Sequence, residues 1–472
     1  MLSERILQSV EKLKDLAAST DNPAVREAIE NLSTAISVGN ISNSTGVAIG
    51  RNIRMVVYNL NLPPDTVAKI VGVRNELGAA LSLDVERYRL DTLLSDKTRG
   101  FVGRSYVFDG IQNFITNHAS GYFVIEGDPG MGKSSIMAEY VRRTGCISHF
   151  NVRAIGITTA RQFLENVCTQ LIVDVGLLYP TLPSEATQDG AFLTKLLNEA
   201  SAKLEPGEQL VVAVDALDEV DMTTQSAGAN ILYLPTTLPN GVYFILTRRN
   251  VELPVVTQSP QKKLDLMAHP AENRDDVESY IQSNSEHEKL REWMTSQNLT
   301  EKEFITTLAD LSENNFMYLR YVLPEIESGA YQNLAVTKLP TGLLGYYEDH
   351  WRHMGMTTKP LPRVKIRIIY VMCEVRQPVS RKLISDFATD QTMRVDELAV
   401  QEVLDEWSQF LHEQPTPDGT RYSVYHSSFR EFLHDKEVVR AAGVTIKDIN
   451  ALIANNLWAD LFGDSNQKGA IP

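Results

Sequence analysis

Residues 122–143 read YFVIEGDPGMGKSSIMAEYVRR. YFVIE has the pattern of a buried strand and SSIMAEYVRR that of a helix. Between them Gly127, Gly132, Lys133 and Ser134 satisfy GxxxxGK[ST] in full. Strand, glycine-rich loop and helix in that order make an anion site. Backbone N–H groups close around phosphate oxygens, and the helix N-terminus adds its partial positive charge. The loop Gly127, Asp128, Pro129, Gly130, Met131, Gly132, Lys133, Ser134 and Ser135 is therefore expected to wrap the phosphates of a nucleotide. Lys133 would reach the β- and γ-phosphates, and the Ser134 hydroxyl would ligate Mg²⁺.

Such a loop requires an acidic partner on a second parallel strand, and LVVAVDALDEVD (210–221) supplies one. Asp215 ends the apolar run and suits the Mg²⁺ shell. Asp218 or Glu219 can orient or deprotonate the attacking water, or can be a solvated first turn of the next element. VYFILTRR (242–249) ends in Arg248 and Arg249, and an arginine there can read a γ-phosphate or be a plain surface charge. Short apolar strands alternate with helices near 132–143, 160–173 and 190–204, and HFNVRAIGI (149–157) reads as a further strand. This alternation predicts an α/β P-loop domain, a parallel sheet with helices on both faces, over 96–268.

Beyond about residue 270 the texture turns helical: 274–284, 286–297, 301–311 and 314–326 form a helical domain over 269–340. A winged-helix domain follows over 341–440, with helices at 343–353, 362–374, 380–388 and 396–406. SQFLHEQ and RYSVYH, flanking PTPDG (415–419), supply its hairpin. Residues 441–472 read as a C-terminal helix and tail. At the other end, 1–95 reads as a small mixed module, a helical hairpin followed by a β-hairpin near Gly50-Arg51-Asn52 and a third helix. With no catalytic constellation, it is an adaptor or oligomerisation module, or an extension packed on the next domain.

The totals narrow the setting. Three scattered cysteines, Cys146, Cys168 and Cys373, argue against a disulfide framework and fit a reducing cytoplasm. No apolar run approaches the ~18 residues of a membrane span. The net charge of −15 and the acidic stretch 396–413 speak against a nucleic-acid surface, including a DNA-reading winged helix.

Five ordered pieces, FVGR (101–104), GDPGMGKS, VDALDE, LTRRN and YHSSFREFL (425–433), resemble the STAND class of signalling NTPases, in its bacterial NACHT branch. KLPTGLLGYYEDHW (338–351) is similar to the stretch joining the helical and winged-helix parts in that branch. The resemblance implies that Phe101, Val102, Gly103 and Arg104 lie along the adenine with Arg104 near the nucleotide. Arg249 would sense the γ-phosphate, although the usual Ser-Arg-Pro is here Arg248-Arg249-Asn250. His426 would touch the β-phosphate of ADP, whereas by itself it reads as a core histidine. The segment 312–323 lacks the proline with which some relatives touch adenine. The resemblance also implies a slow ATP hydrolase acting as an ATP/ADP switch, closed with ADP and self-associating on activation; relatives usually continue past the stretch matching ADLFGDSNQKGAIP (459–472) into trigger-sensing repeats, so sensing is expected from such repeats or from another surface or chain. Residues 1–95 would recruit a downstream effector, and bacterial relatives suggest antiphage defence or regulated cell death. A P-loop turnover enzyme, kinase or mechanochemical, is the alternative. Lys133→Ala should abolish nucleotide binding, because the backbone nest then faces uncompensated phosphate charge; equilibrium titration with ATP checks this.

Overall fold

A computed structural model describes residues 93–462, apart from 178, 180–181, 333, 376 and 417–418. Of the module expected over 1–95, residues 1–92 lie outside the described residues, as does the tail 463–472. A helical stretch over 93–98 leads into α1 (Ser105–Asn117), a helix with no counterpart in the sequence reading. Five parallel strands follow: β1 (Gly121–Glu126), β2 (Ile147–Phe150), β3 (Leu210–Asp215), β4 (Val242–Arg248) and β5 (Gln261–Asp265). Their spatial order is β2-β3-β4-β1-β5, so β4 separates the strand that feeds the phosphate loop from the strand that ends in Asp215.

Every residue of β1 and β4 is buried, as a sheet covered on both faces requires. Alternation sends Tyr122 and Val124 into one core with Val212, Phe244 and Leu246, under α3 (Ala160–Asp174) and α4 (Ala191–Ser201). Phe123 and Ile125 enter the opposite core with Tyr243 and Ile245, under α1 and α2 (Lys133–Thr144). Two expectations change here. Only Ile147–Phe150 of the ISHFNVRAIGI region is strand; Arg153–Ile155 forms a 3-10 turn closed by Gly156 at φ 74°. β5 carries only one buried side chain, Leu264, because it is an edge strand. Its QKKLD sequence therefore lacks the apolar run that marks the other strands.

The helical region comprises α5 (Pro270–Ser285), α6 (Glu288–Ser296), α7 (Glu301–Ser312) and α8 (Phe316–Ser328). Thr300 and Glu303 form a capping box that starts α7, and Asn315 caps α8 by accepting from the Met317 and Tyr318 N–H groups. After α9 (Gly342–His353) come α10 (Arg363–Glu374), β6 (Val379–Ser380), α11 (Arg381–Ala388), α12 (Glu397–Glu406), β7 (Leu411–Thr416) and β8 (Gly419–Val424). Helices closed by an antiparallel hairpin, with sheet order β6-β8-β7, are the arrangement expected of a winged helix; β6 adds a third strand to the two that were read. The strands also reach into PTPDG, to Thr416 and from Gly419. Next come α13 (Ser427–His434), α14 (Lys436–Ala442) and α15 (Ile446–Phe462).

One continuous cluster of buried side chains runs from Val277 to Ile453, across the position 340 where two domains were expected to meet. Phe410 is at its centre. Its ring stacks on Phe429 of α13 at 4.6 Å and lies 5.2 Å from Tyr321 of α8 and 4.7 Å from His350 of α9. Aromatic pairs of this kind add to the stabilisation from burial. Phe410→Ala should lower the unfolding free energy by about 3–5 kcal/mol in urea titration. Amide exchange should accelerate in α8 and α10 together, because both draw on the same core.

Candidate functional site

The cleft forms where the C-terminal ends of β1, β3 and β4 meet the helical region and the start of α13. It is a concave site lined by both polar and apolar side chains, the kind of place that small ligands occupy. From the phosphate loop, Pro129, Gly130, Gly132, Lys133, Ser134 and Ser135 line it. Gly130 and Gly132 have φ of 82° and 84°, a conformation that favours glycine, and Gly132 is the N-cap of α2. Gly127, Asp128 and Met131 shape the loop without lining the cleft. Lys133 folds back on the loop, its Nζ donating to the carbonyls of Gly127 (2.6 Å) and Asp128 (2.9 Å). Burial lowers its pKa, and the Asp218 charge opposes that shift.

Asp215 is buried at the tip of β3. Thr247 of β4 donates its hydroxyl to Asp215 Oδ1 and accepts from the Ala216 N–H at 2.8 Å, holding Ala216 in a left-handed conformation (φ 53°). Burial raises the Asp215 pKa; hydrogen bonds from Thr247 and Ser134 and the charge of Lys97 oppose it. The Ser134 hydroxyl and the Asp215 carboxylate are thus side by side, two hard oxygen donors of the kind Mg²⁺ takes. Among the described residues no cluster of three or more His, Cys, Asp or Glu side chains forms a metal site, so a cation here would draw its other ligands from phosphate and water.

Asp218 and Glu219 both line the cleft, but they are held differently. Asp218 accepts from the Arg249 N–H (3.0 Å) and pairs with Arg249 Nε (2.9 Å). Glu219 accepts from the Arg153 N–H at 2.7 Å, and burial raises its pKa. The two arginines of LTRR also separate. Arg248 is buried against Glu126 (Nε to Oε1, 2.8 Å), away from the cleft lining. Arg249 faces the cleft and binds Glu431 and Ser427 of α13, joining the sheet domain to the C-terminal unit.

Of FVGR, Phe101, Val102 and Arg104 line the cleft, whereas Gly103 packs under α5, where a Cβ would collide with Asp276. Arg104 is buried. Its Nη2 donates to the Met131 carbonyl (2.7 Å), Nη1 donates to Tyr106 (3.0 Å) and Asn273, its N–H reaches Asp276 (3.1 Å), and the Phe316 ring covers its guanidinium at 4.9 Å.

His426 caps α13 and faces the phosphate loop across the cleft. Its Nδ1 accepts from the Ser428 N–H (3.2 Å) and hydroxyl (2.6 Å), and Tyr347 OH meets the same hydroxyl at 2.9 Å. Burial, then the charges of Lys97, Arg249, Lys133 and Arg320, lower its pKa to about 3. The imidazole is therefore neutral near pH 7, with its proton on Nε2. Sequence reasoning missed Lys97, Arg99, Tyr280, Phe316, Met317, Arg320 and Tyr425, which also line the cleft. Met317 and Phe316 lie in the segment 312–323 to which no contact had been assigned.

No family model and no curated protein matches this chain. Among solved structures it is similar to the STAND protein with a tetratricopeptide repeat sensor from Pyrococcus horikoshii. That match has 14% identity and a TM-score of 0.40 over 76% of this chain and 45% of that one, so this chain spans less than half of that protein. It is also similar to a Walker-type ATPase of Pyrococcus abyssi, at 13% identity and a TM-score of 0.30 over 72% of this chain and 95% of that one.

Between the unfolded value near 6.5 and about 3, the unfolded chain binds the His426 proton and the folded chain does not, so acid opposes folding across that window. His149 and His350, each lowered by burial to about 4, act in the same direction. His426→Gln should therefore lose less stability than the native chain between pH 7 and pH 5, measured by urea midpoints.

Proposed function

We propose that this chain is an ATP/ADP-gated switch, a slow ATP hydrolase whose C-terminal unit is clasped to the nucleotide. One observation carries the reading: the neutral, half-buried imidazole that caps α13 and the phosphate loop line a single cleft, with four cations acting on that imidazole. A turnover enzyme needs an open route for its acceptor, not a histidine brought from a distant segment.

In this reading Gly130, Gly132, Ser135 and Lys133 hold the phosphates, Ser134 and Asp215 hold Mg²⁺, and Phe101, Val102, Phe316 and Met317 flank the base. Mg²⁺ would supply charge neutralisation at the phosphate oxygens. Glu219 orients the attacking water, while Asp218, engaged by Arg249, positions that arginine for the γ-phosphate. His426 Nε2 donates to the β-phosphate of ADP and keeps the C-terminal unit closed. A ligand at 1,000 times its Kd stabilises the state that binds it by ~4 kcal/mol, which biases a two-state element heavily but falls short of the ~5.5 kcal/mol that reverses a 1:99 equilibrium. Exchange for ATP then opens the unit, self-association follows, and residues 1–95 engage an effector in the cytoplasm. The trigger is a ligand or a sensor region, and the NACHT resemblance points to antiphage defence as the setting.

Denaturing the purified chain and identifying what it releases tests the reading: retained ADP is expected, and an empty site with rapid steady turnover would overturn it. A hydrogen bond to charged phosphate contributes ~1.5–3 kcal/mol, so His426→Leu should weaken ADP roughly 10- to 150-fold and raise the oligomer fraction. Calorimetric titration with light scattering reads both.

A further inference from the structure

The cleft lining includes a lysine outside every motif. Lys97 belongs to the helical stretch 93–98, upstream of FVGR, and faces the cleft beside the phosphate loop. Its Nζ lies 4.9 Å above the Tyr425 ring and 3.4 Å from the Tyr425 hydroxyl. Arg320 of α8 covers the same ring at 4.8 Å and pairs with Asp96 at 3.3 Å. Tyr425 is thus held between two cations, one from the connector and one from the helical region, and the next residue along the chain is His426.

Four of the other cations of the cleft are already bound, and the fifth, Arg99, is exposed to solvent. Arg249 pairs with Asp218 and Glu431, Arg320 with Asp96, Arg104 with Asp276, and Lys133 with two loop carbonyls. Lys97 has no carboxylate partner among the described residues. A partly exposed cation on an aromatic ring is a weak contact, and a charge-assisted bond to phosphate is stronger. Lys97 lines the same cleft as Lys133 and Ser134 of the phosphate loop and as His426.

We propose that Lys97 is a nucleotide-binding residue supplied by the connector that follows the N-terminal segment, and that its ammonium leaves Tyr425 for the terminal phosphate of ATP. This rests on the nucleotide reading above and adds a direct mechanical link from phosphate number to residues 93–100. With ADP the lysine stays on Tyr425, and the connector stays with the C-terminal unit. With ATP the connector transfers to the nucleotide.

The test uses the full chain with fluorescent N-methylanthraniloyl ATP and ADP. Lys97→Met, which keeps the aliphatic stem, should weaken ATP roughly tenfold and ADP less than threefold, and Lys97→Arg should recover most of the loss. Hydrogen exchange over 93–100 should differ between ATP and ADP in the native chain and be equal in Lys97→Met. If Lys97→Met leaves both affinities and the exchange difference unchanged while Lys133→Ala abolishes binding, this inference falls and the nucleotide site stands. Equal weakening of ATP and ADP also overturns it. If the native chain binds neither nucleotide, the proposed function falls with it.

Discussion

The buried guanidinium of Arg104 fixes the geometry on which the cleft depends. A charge removed from water is tolerated only when its donors are matched, and here the partners come from three separate parts of the chain: Met131 in the phosphate loop, Tyr106 in α1, and Asn273 with Asp276 in α5. Phe316 at the start of α8 closes the remaining face. The loop is held from behind a second time, because the Gly130 carbonyl accepts from the Phe316 N–H (3.0 Å) and Asn315 donates to the Pro129 carbonyl (3.0 Å). The glycines permit the loop's conformation, and the helical region selects it.

That division explains what the sequence made legible. YFVIE, LVVAVD and VYFILT are visible because strands buried on both faces must be continuously apolar, and the loop because glycine spacing is a local requirement. QKKLD escaped because one neighbour and a solvent edge permit lysines in a strand. Phe316, Met317, Arg320 and Tyr425 escaped for another reason. Nothing about a phenylalanine at a helix start states that it faces a loop some 190 residues earlier; only the fold brings them together. The pairing of Arg248 with Glu126, which leaves Arg249 to the cleft, depends likewise on the register of β1 with β4.

The two walls of the cleft differ in kind. Behind it, apolar packing is continuous from α5 through α15, and the loop is tied to that body by buried hydrogen bonds. At its mouth, the sheet domain and its connector meet the C-terminal unit through polar contacts, Arg249 with Glu431 and Ser427 and Lys97 with Tyr425, and elsewhere the turn at Arg153–Ile155 packs on β8. Glu431 is about half exposed. Segments with few buried apolar contacts open at the least free-energy cost, so the mouth is the weaker seam. Motion there need not disturb the loop's own geometry.

Gly130 carries one further consequence. A Cβ at that position would collide with the amide of Asn315, whose side chain caps α8 and supports the loop at once. A smaller residue at 315 would not by itself admit a side chain at 130, because the backbone there is left-handed at φ 82°. Position 130 is thus held to glycine twice, by its own backbone and by a cap that begins far along the helical region.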